Sequence, residues 1–231
     1  MAIKLVFLKR SVRMEQNGSI LSEVLRQPGP THSVFDFLAA AVKILSPGNH
    51  VGMLGFAGGG VVAPLRAMEG AHAVHAVDLS DEGYGLFRNL SKSWCGPVHF
   101  KKADALHWLT GHRNGFDALI EDLSVPLNND VEKPAICWQS LPPLIHKALK
   151  PNGISITNLL PSGDLTWKAL ITKITAGHER VLIVHLDDFE NRIIIAARQL
   201  PEAGTLSHRL REQLTAIGSH QSNRFFVRTF R

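Results

Sequence analysis

Cysteine is almost missing from this chain: Cys95 and Cys137 are the only two in 231 residues, and they stand far apart outside any C-x-x-C pattern. A disulfide framework and a cysteine-based zinc site are excluded as organising principles. Long apolar runs are lacking too, and none approaches the roughly 18 residues of a membrane span. The stretch Met1-Ala-Ile-Lys-Leu-Val-Phe-Leu-Lys-Arg10 is interrupted by charge before a signal-peptide core can form. We expect a cytoplasmic protein with no membrane partner, in which the sequons at Asn17 and Asn89 have no role. Acid is in short supply, with 20 Asp and Glu against 25 Lys and Arg, leaving a net charge of +5. Such a surface concentrates anions. Much of the excess sits at Arg209, Arg211, Arg224, Arg228 and Arg231. A solvated basic tail is the plain reading, and Arg224-Phe-Phe-Val-Arg228, where arginine and aromatic residues interleave, is the stretch that suits a nucleic-acid partner. No metal site is expected, because the odd spacing of His72 and His75 on a strand separates their rings.

What is present is an ordinary globular composition, 45% apolar and 19% charged, in a length that fits one large domain or one with a small appendage. The rest of the chain is organised around Val51-Gly-Met-Leu-Gly-Phe-Ala-Gly-Gly-Gly-Val61, followed by His75-Ala-Val-Asp-Leu-Ser80. The order is strand, glycine-rich turn, helix, strand, carboxylate. Glycines let the backbone turn sharply and approach a ligand, and a helix N-terminus directs unpaired N–H groups at the same spot. A carboxylate about 20 residues on is placed for a ribose diol. The glycines Gly55, Gly58, Gly59 and Gly60 do not follow G-x-G-x-x-G, and no G-K-[ST] follows them, so a P-loop is excluded.

Around that unit, apolar pieces broken by Asn17-Gly18 and closed by Pro28-Gly-Pro30 predict a small N-terminal β-hairpin over residues 1–30. Residues 31–231 then form a Rossmann-like domain. Thr31 or Ser33 caps a helix that runs to Leu45 and stops at Pro47-Gly48; His32 and Asp36 near its start are candidate site residues. Strands are expected near 51–55, 73–78, 98–102, 116–121, 153–158, 180–185 and 192–197, with helices near 59–68, 81–91, 104–110, 134–149, 165–175 and 205–216. Pro142-Pro143 breaks or kinks the fourth of these helices. The fold class is α/β: a seven-stranded, mostly parallel sheet of methyltransferase type, ending in an antiparallel pair joined across Asp187–Asn191. Ligands of such sheets bind beyond the carboxyl ends of the strands. Those ends carry Gly55 to Gly60, Asp78, Asp104, Asp122 and Asn158. Asp78 suits a ribose, and Asp104 suits either an exocyclic amine such as adenine N6 or the N-cap of its own helix.

Together the glycines 55–60, Asp78, Lys102-Ala-Asp104, Phe116-Asp-Ala-Leu-Ile-Glu-Asp122 and Ala148-Leu-Lys-Pro-Asn-Gly153 resemble the class I S-adenosylmethionine-dependent transferases, and among them the spermidine synthases, over roughly residues 50–200. The resemblance implies S-adenosylmethionine or its decarboxylated form as cofactor and a small-molecule, amine-type acceptor, and it leaves room for a homodimer. It places the cofactor on Gly55, Phe56, Ala57, Gly58, Gly59, Asp78, Leu79, Asp104 and Ala105, the catalytic base on Asp122, and the acceptor near Ser124 and Asp36. The family's D-S-S-D-P appears as Asp122-Leu-Ser-Val-Pro126, so Val125 replaces its second acid, and Gly58 stands where its glycine motif carries an acid. A diamine carries two charges that need partners, which argues against putrescine. Two other outcomes stay open at this point, a non-catalytic binding protein of the same fold and a basic RNA-binding methyltransferase.

Overall fold

The structure is a computed structural model and describes residues 4–16, 19–127, 130–163 and 165–231. Three short strands, β1 (Lys4–Phe7), β2 (Ser11–Gln16) and β3 (Ser19–Leu25), form an antiparallel sheet in the order β1-β2-β3. This is one strand more than the hairpin read from the sequence. The turn expected at Asn17-Gly18 lies outside the described residues. Val12, Met14 and Val24 are buried on the inner face of this sheet. Helix α1 (Val34–Leu45) follows, and the Ser33 hydroxyl caps it by accepting the Phe35 N–H.

Among the described residues the main sheet has eight strands. Its parallel part consists of β4 (His50–Leu54), β5 (Ala73–Asp78), β6 (Val98–Lys102), β7 (Phe116–Glu121) and β10 (Leu149–Leu159). Strand β4 has β5 and then β6 on one side, β7 and then β10 on the other. The chain thus reverses its direction of build-out at β4, and a crevice opens beyond the strand ends at such a switch point. Beyond β10 the sheet continues with β12 (Arg192–Ala197), β11 (Arg180–Leu186) and β13 (Phe225–Thr229), each antiparallel to its neighbour. All seven expected strands are present. The eighth, β13, is too short for its apolar alternation to stand out, since only Phe225 and Val227 face the core.

Helices cover both faces, which is why β7 is buried from end to end. On one side α1, α2 (Val62–Ala67), α3 (Glu82–Ser91) and α8 (Ala203–Ala216) enclose Val51, Met53, Ala118, Ile120, Ile154 and Ile156. On the other, α4 (Ala105–Thr110), α5 (Ile136–Gln139) and α6 (Leu141–Ala148) pack on Leu54, Leu119 and Leu149. Helix α7 (Trp167–Ile174) covers Ile183 and Ile194. Each of the larger of these side chains contributes about 1.5–3 kcal/mol by leaving water. The expected helix over 134–149 is two helices meeting at Ser140, with Pro142 and Pro143 in the first turn of α6, where a missing N–H costs nothing. The remaining short pair, β8 (Val125–Leu127) and β9 (Asp130–Glu132), projects from the loop after β7.

Candidate active site

Above the carboxyl ends of β4, β5, β7 and β10 lies a cleft of about 1900 Å³, whose far wall is the N-terminal sheet. Its floor begins at Gly55, held at φ +81°, where an added Cβ would lie 2.5 Å from the Asp122 carbonyl oxygen. Glycine is required there on both counts. Ala57 follows with φ +44°, a left-handed conformation costly for a residue with a Cβ. Helix α3 approaches this turn so closely that a Cβ on Gly83 would overlap the Ala57 carbonyl.

Asp78, at the end of β5, closes the turn from the side. Its Oδ2 accepts the N–H groups of Phe56 and Ala57, both at 2.8 Å, and its Oδ1 accepts the Ser80 N–H at 3.2 Å. Asp104 caps α4, with Oδ1 accepting the His107 N–H at 2.9 Å. Both carboxylates line the cleft with Leu79 and Ala105 beside them, and Leu79 is 69% exposed.

Asp122 follows the last residue of β7, and its backbone N–H is held by the Leu54 carbonyl. Its carboxylate is half-buried and accepts a 2.7 Å hydrogen bond from Asn158 Nδ2 at the end of β10. Asn158 Oδ1 in turn accepts from Asn191 Nδ2 at 2.9 Å. Burial pushes the Asp122 carboxyl up to about 6, against the pull of Lys133 and the Asn158 hydrogen bond. Such a group changes charge close to neutral pH, as a general base must.

Gly55, Phe56, Ala57, Asp78, Leu79, Asp104, Ala105, Asp122 and Ser124 thus share one cleft wall. Three expected site residues do not. Gly58 faces away, and a Cβ there would lie 2.7 Å from Val24 and 3.0 Å from the Met14 sulfur, so its task is to let the N-terminal sheet sit down on the turn. Gly59 is buried against the Phe56 ring. Asp36 is fully buried, and its carboxylate accepts from Thr31, His32 and Ser219, which makes it the anchor of the turn before α1 rather than an acceptor contact. Phe56 reaches the cleft only through its backbone, since its ring packs with Tyr84, Phe87 and Phe100 in the core.

Two residues went unremarked in the sequence. Asn191 sits in the β11–β12 turn, and no spacing ties it to Asn158. Lys133 is 4% exposed and forms a 2.6 Å ion pair with Glu121 on the opposite side of β7 from Asp122. Among the described residues no group of three or more His, Cys, Asp or Glu is arranged to hold a metal ion, and no helix is long and apolar enough to cross a membrane.

The fold is that of the class I S-adenosylmethionine-dependent transferases. The chain is similar to spermidine synthase from Thermotoga maritima, with a TM-score of 0.63 and 11% identity over 95% of this chain and 79% of that one. It is similar also to spermidine synthase in complex with the transition state analogue AdoDATO, with a TM-score of 0.61 and 10% identity over the same shares. Human methyltransferase-like protein 13 in complex with SAH gives a TM-score of 0.63 and 15% identity, over 80% of this chain and 91% of that one. At such identities the likeness is one of fold. No protein-family model matches the chain, and no curated protein matches it in sequence.

Proposed function

We propose that the protein is a group transferase that takes S-adenosylmethionine or its decarboxylated form into the cleft and passes a carbon group to a nucleophile, an amine by preference, held beside Asp122. The observation that carries this reading is the placement of Asp122: a half-buried carboxyl raised to about 6, fixed by Asn158, on the same wall as the glycine turn and Asp78.

The residues fit an adenosyl ligand. An ionised carboxylate offers roughly four lone-pair sites. Asp78 uses three of them on backbone N–H groups, which leaves capacity for a ribose hydroxyl. The Asp104 oxygen that does not cap α4 is available to the adenine amino group. When bound, the cofactor would supply an electrophilic carbon on a sulfonium, the sulfur being the leaving group that would keep the C–S electron pair. Asp122 accepts the proton that the incoming amine loses. Asn158 keeps that carboxylate oriented, and the wall formed by the N-terminal sheet limits access of water.

At the acceptor end the second acid that the resemblance would use to pair a diamine is missing. Val125 is exposed where the resemblance places an acid, and Lys9, Arg10 and Arg26 line the cleft with no ion pair among the described residues. Glu23 on the same wall is already engaged by Arg13 at 3.0 Å. Titration calorimetry with both cofactors and with methylthioadenosine tests the reading. Binding should be measurable and should weaken about tenfold or more in Asp78→Asn, which removes a charged acceptor. Absence of any heat of binding at millimolar adenosyl ligand would end it.

A further inference from the structure

The sequence pointed to Arg224-Phe-Phe-Val-Arg228 as a whole, and the structure divides it. Phe225 is buried, and Arg224 is ion-paired with Asp188 at 2.8 Å. Phe226 and Arg228 alternate to the opposite face of β13, the face that α7 covers further along. In the ladder, His185 of β11 lies opposite both Arg192 of β12 and Phe226 of β13, and Arg228 lies opposite Ile183. Arg192, His185 and Phe226 therefore form one row across three strands, with Arg228 in the next row on the same face.

Stacking rather than ion pairing holds this row. The Arg192 guanidinium lies 3.8 Å from the centre of the Trp167 ring, and His185 stacks on Phe226 with centroids 4.4 Å apart and planes 3° from parallel. Among the described residues neither Arg192 nor Arg228 has a carboxylate partner. The two cations feel each other, since burial and Arg228 together hold the Arg192 guanidinium below its ordinary range. His185 Nε2 is shielded from solvent with no hydrogen-bond partner. Phe226 is 54% exposed.

Solvated surface arginines are commonplace, but here two guanidiniums without a carboxylate partner among the described residues share one face with an exposed aromatic ring. An anion relieves the repulsion, and a flat apolar group covers the ring. Both are present in every nucleotide of an unpaired strand, whereas a duplex hides its base faces. The patch also adjoins the cleft, because Arg192 follows Asn191, which lines it. We infer that this face binds single-stranded nucleic acid, with phosphates on Arg192 and Arg228 and a base stacked on Phe226. The inference is independent of the adenosyl reading.

Fluorescence anisotropy with the full-length protein and a labelled single-stranded RNA of about a dozen nucleotides tests it. The same sequence as DNA and as duplex RNA provides the comparison. Single strands should bind at least tenfold more tightly than the duplex. Arg192→Gln/Arg228→Gln should lose about tenfold in affinity and lower the salt slope by about 1.4, the value for two phosphate contacts on a single strand. Phe226→Ser should lose about fivefold or more with the slope unchanged; its exposed position keeps this variant folded even if the arginine pair is not. Lys92→Gln/Arg113→Gln, with the same charge change at exposed positions elsewhere, is the control. No binding by the native protein overturns the inference, as does equal binding of duplex, an affinity within twofold of native in the patch variants, or an equal loss in the control. Adenosyl-ligand calorimetry on the same variants should be unchanged, so failure here and failure of the transferase reading are told apart.

Discussion

Glu121 and Asp122 are neighbours in the chain with the same chemical group, yet the strand's alternation sends them into opposite environments. Glu121 is 1% exposed, and its Oε1 is shared by the Lys133 ammonium at 2.6 Å, the Leu123 N–H and the Cys137 thiol. Burial and that carboxylate push the Cys137 thiol well above its usual range, so it stays protonated and unreactive. Asp122 faces the cleft, and among the described residues its side-chain hydrogen-bond partner is the Asn158 carboxamide. One acid is fully compensated and can only hold the structure together. The other is under-compensated, and burial raises its carboxyl to about 6, which suits the proposed base. In the proposed transferase, the base would be defined by what the fold withholds from it.

The comparison breaks most visibly at Asp122 itself. Asp122→Asn keeps size and hydrogen bonding while removing the base, so single-turnover transfer should fall by about 10²–10⁴ with the melting temperature little changed or raised. The sign of the stability effect follows from the raised carboxyl. Its favourable contribution is complete below about 3.8 and is lost as pH rises through about 6, so above that pH the native aspartate opposes folding and the asparagine does not. Native transfer rates should accordingly rise with pH through about 6 and then level. A rate independent of pH between 5 and 8 in the native protein would refute the assignment.

Next in size is Lys133→Met, which strands Glu121 as a buried, unpaired charge. A cost of about 3–5 kcal/mol in urea unfolding is expected, most of it recovered in Glu121→Gln/Lys133→Met. A single variant that costs under about 1 kcal/mol would show that the two acids are not so differently compensated. Because Lys133 pulls the Asp122 carboxyl down by more than Glu121 pushes it up, the double variant should still shift the rate profile to higher pH, though by less than loss of Lys133 alone, linking the two sides of β7.

How much of this was legible in the sequence follows the range of the interactions. The glycine turn, Asp78, Asp104, Asp122 and Asn158 are all read from local rules: turn residues, strand ends and the crevice at a switch point. Glu121 could be sent to the far side by alternation alone. Its partner could not, because Lys133 comes from a loop with no periodic pattern and reaches a carboxylate 12 residues away. Asp36 shows the opposite failure. A carboxylate near a helix start satisfies both a ligand rule and a structural one, and the deciding contact, with Ser219, spans 183 residues. Gly58 likewise owes its identity to Val24 and Met14 on a separate sheet.

The subtlest difference between the two acids lies beyond Asp122, in the pair of carboxamides. An ionised carboxylate only accepts, so Asn158 must turn its amino group to Asp122 and its oxygen outward, and Asn191 fixes that orientation by donating to the oxygen. Asn158→Ala removes the donor and should move the midpoint of the rate profile above 6, with about 1 kcal/mol lost in unfolding. Asn191→Ala leaves the donor in place but free to rotate, so its effect should be smaller: a reduction of a few-fold in rate, the midpoint displaced in the same direction by less, and stability nearly native. A midpoint that moves as far in Asn191→Ala as in Asn158→Ala would mean that the outer amide contacts Asp122 through something other than Asn158. A midpoint that stays put in both would mean that burial alone sets the carboxyl, and the relay would then be a structural tie between β10 and the β11–β12 turn.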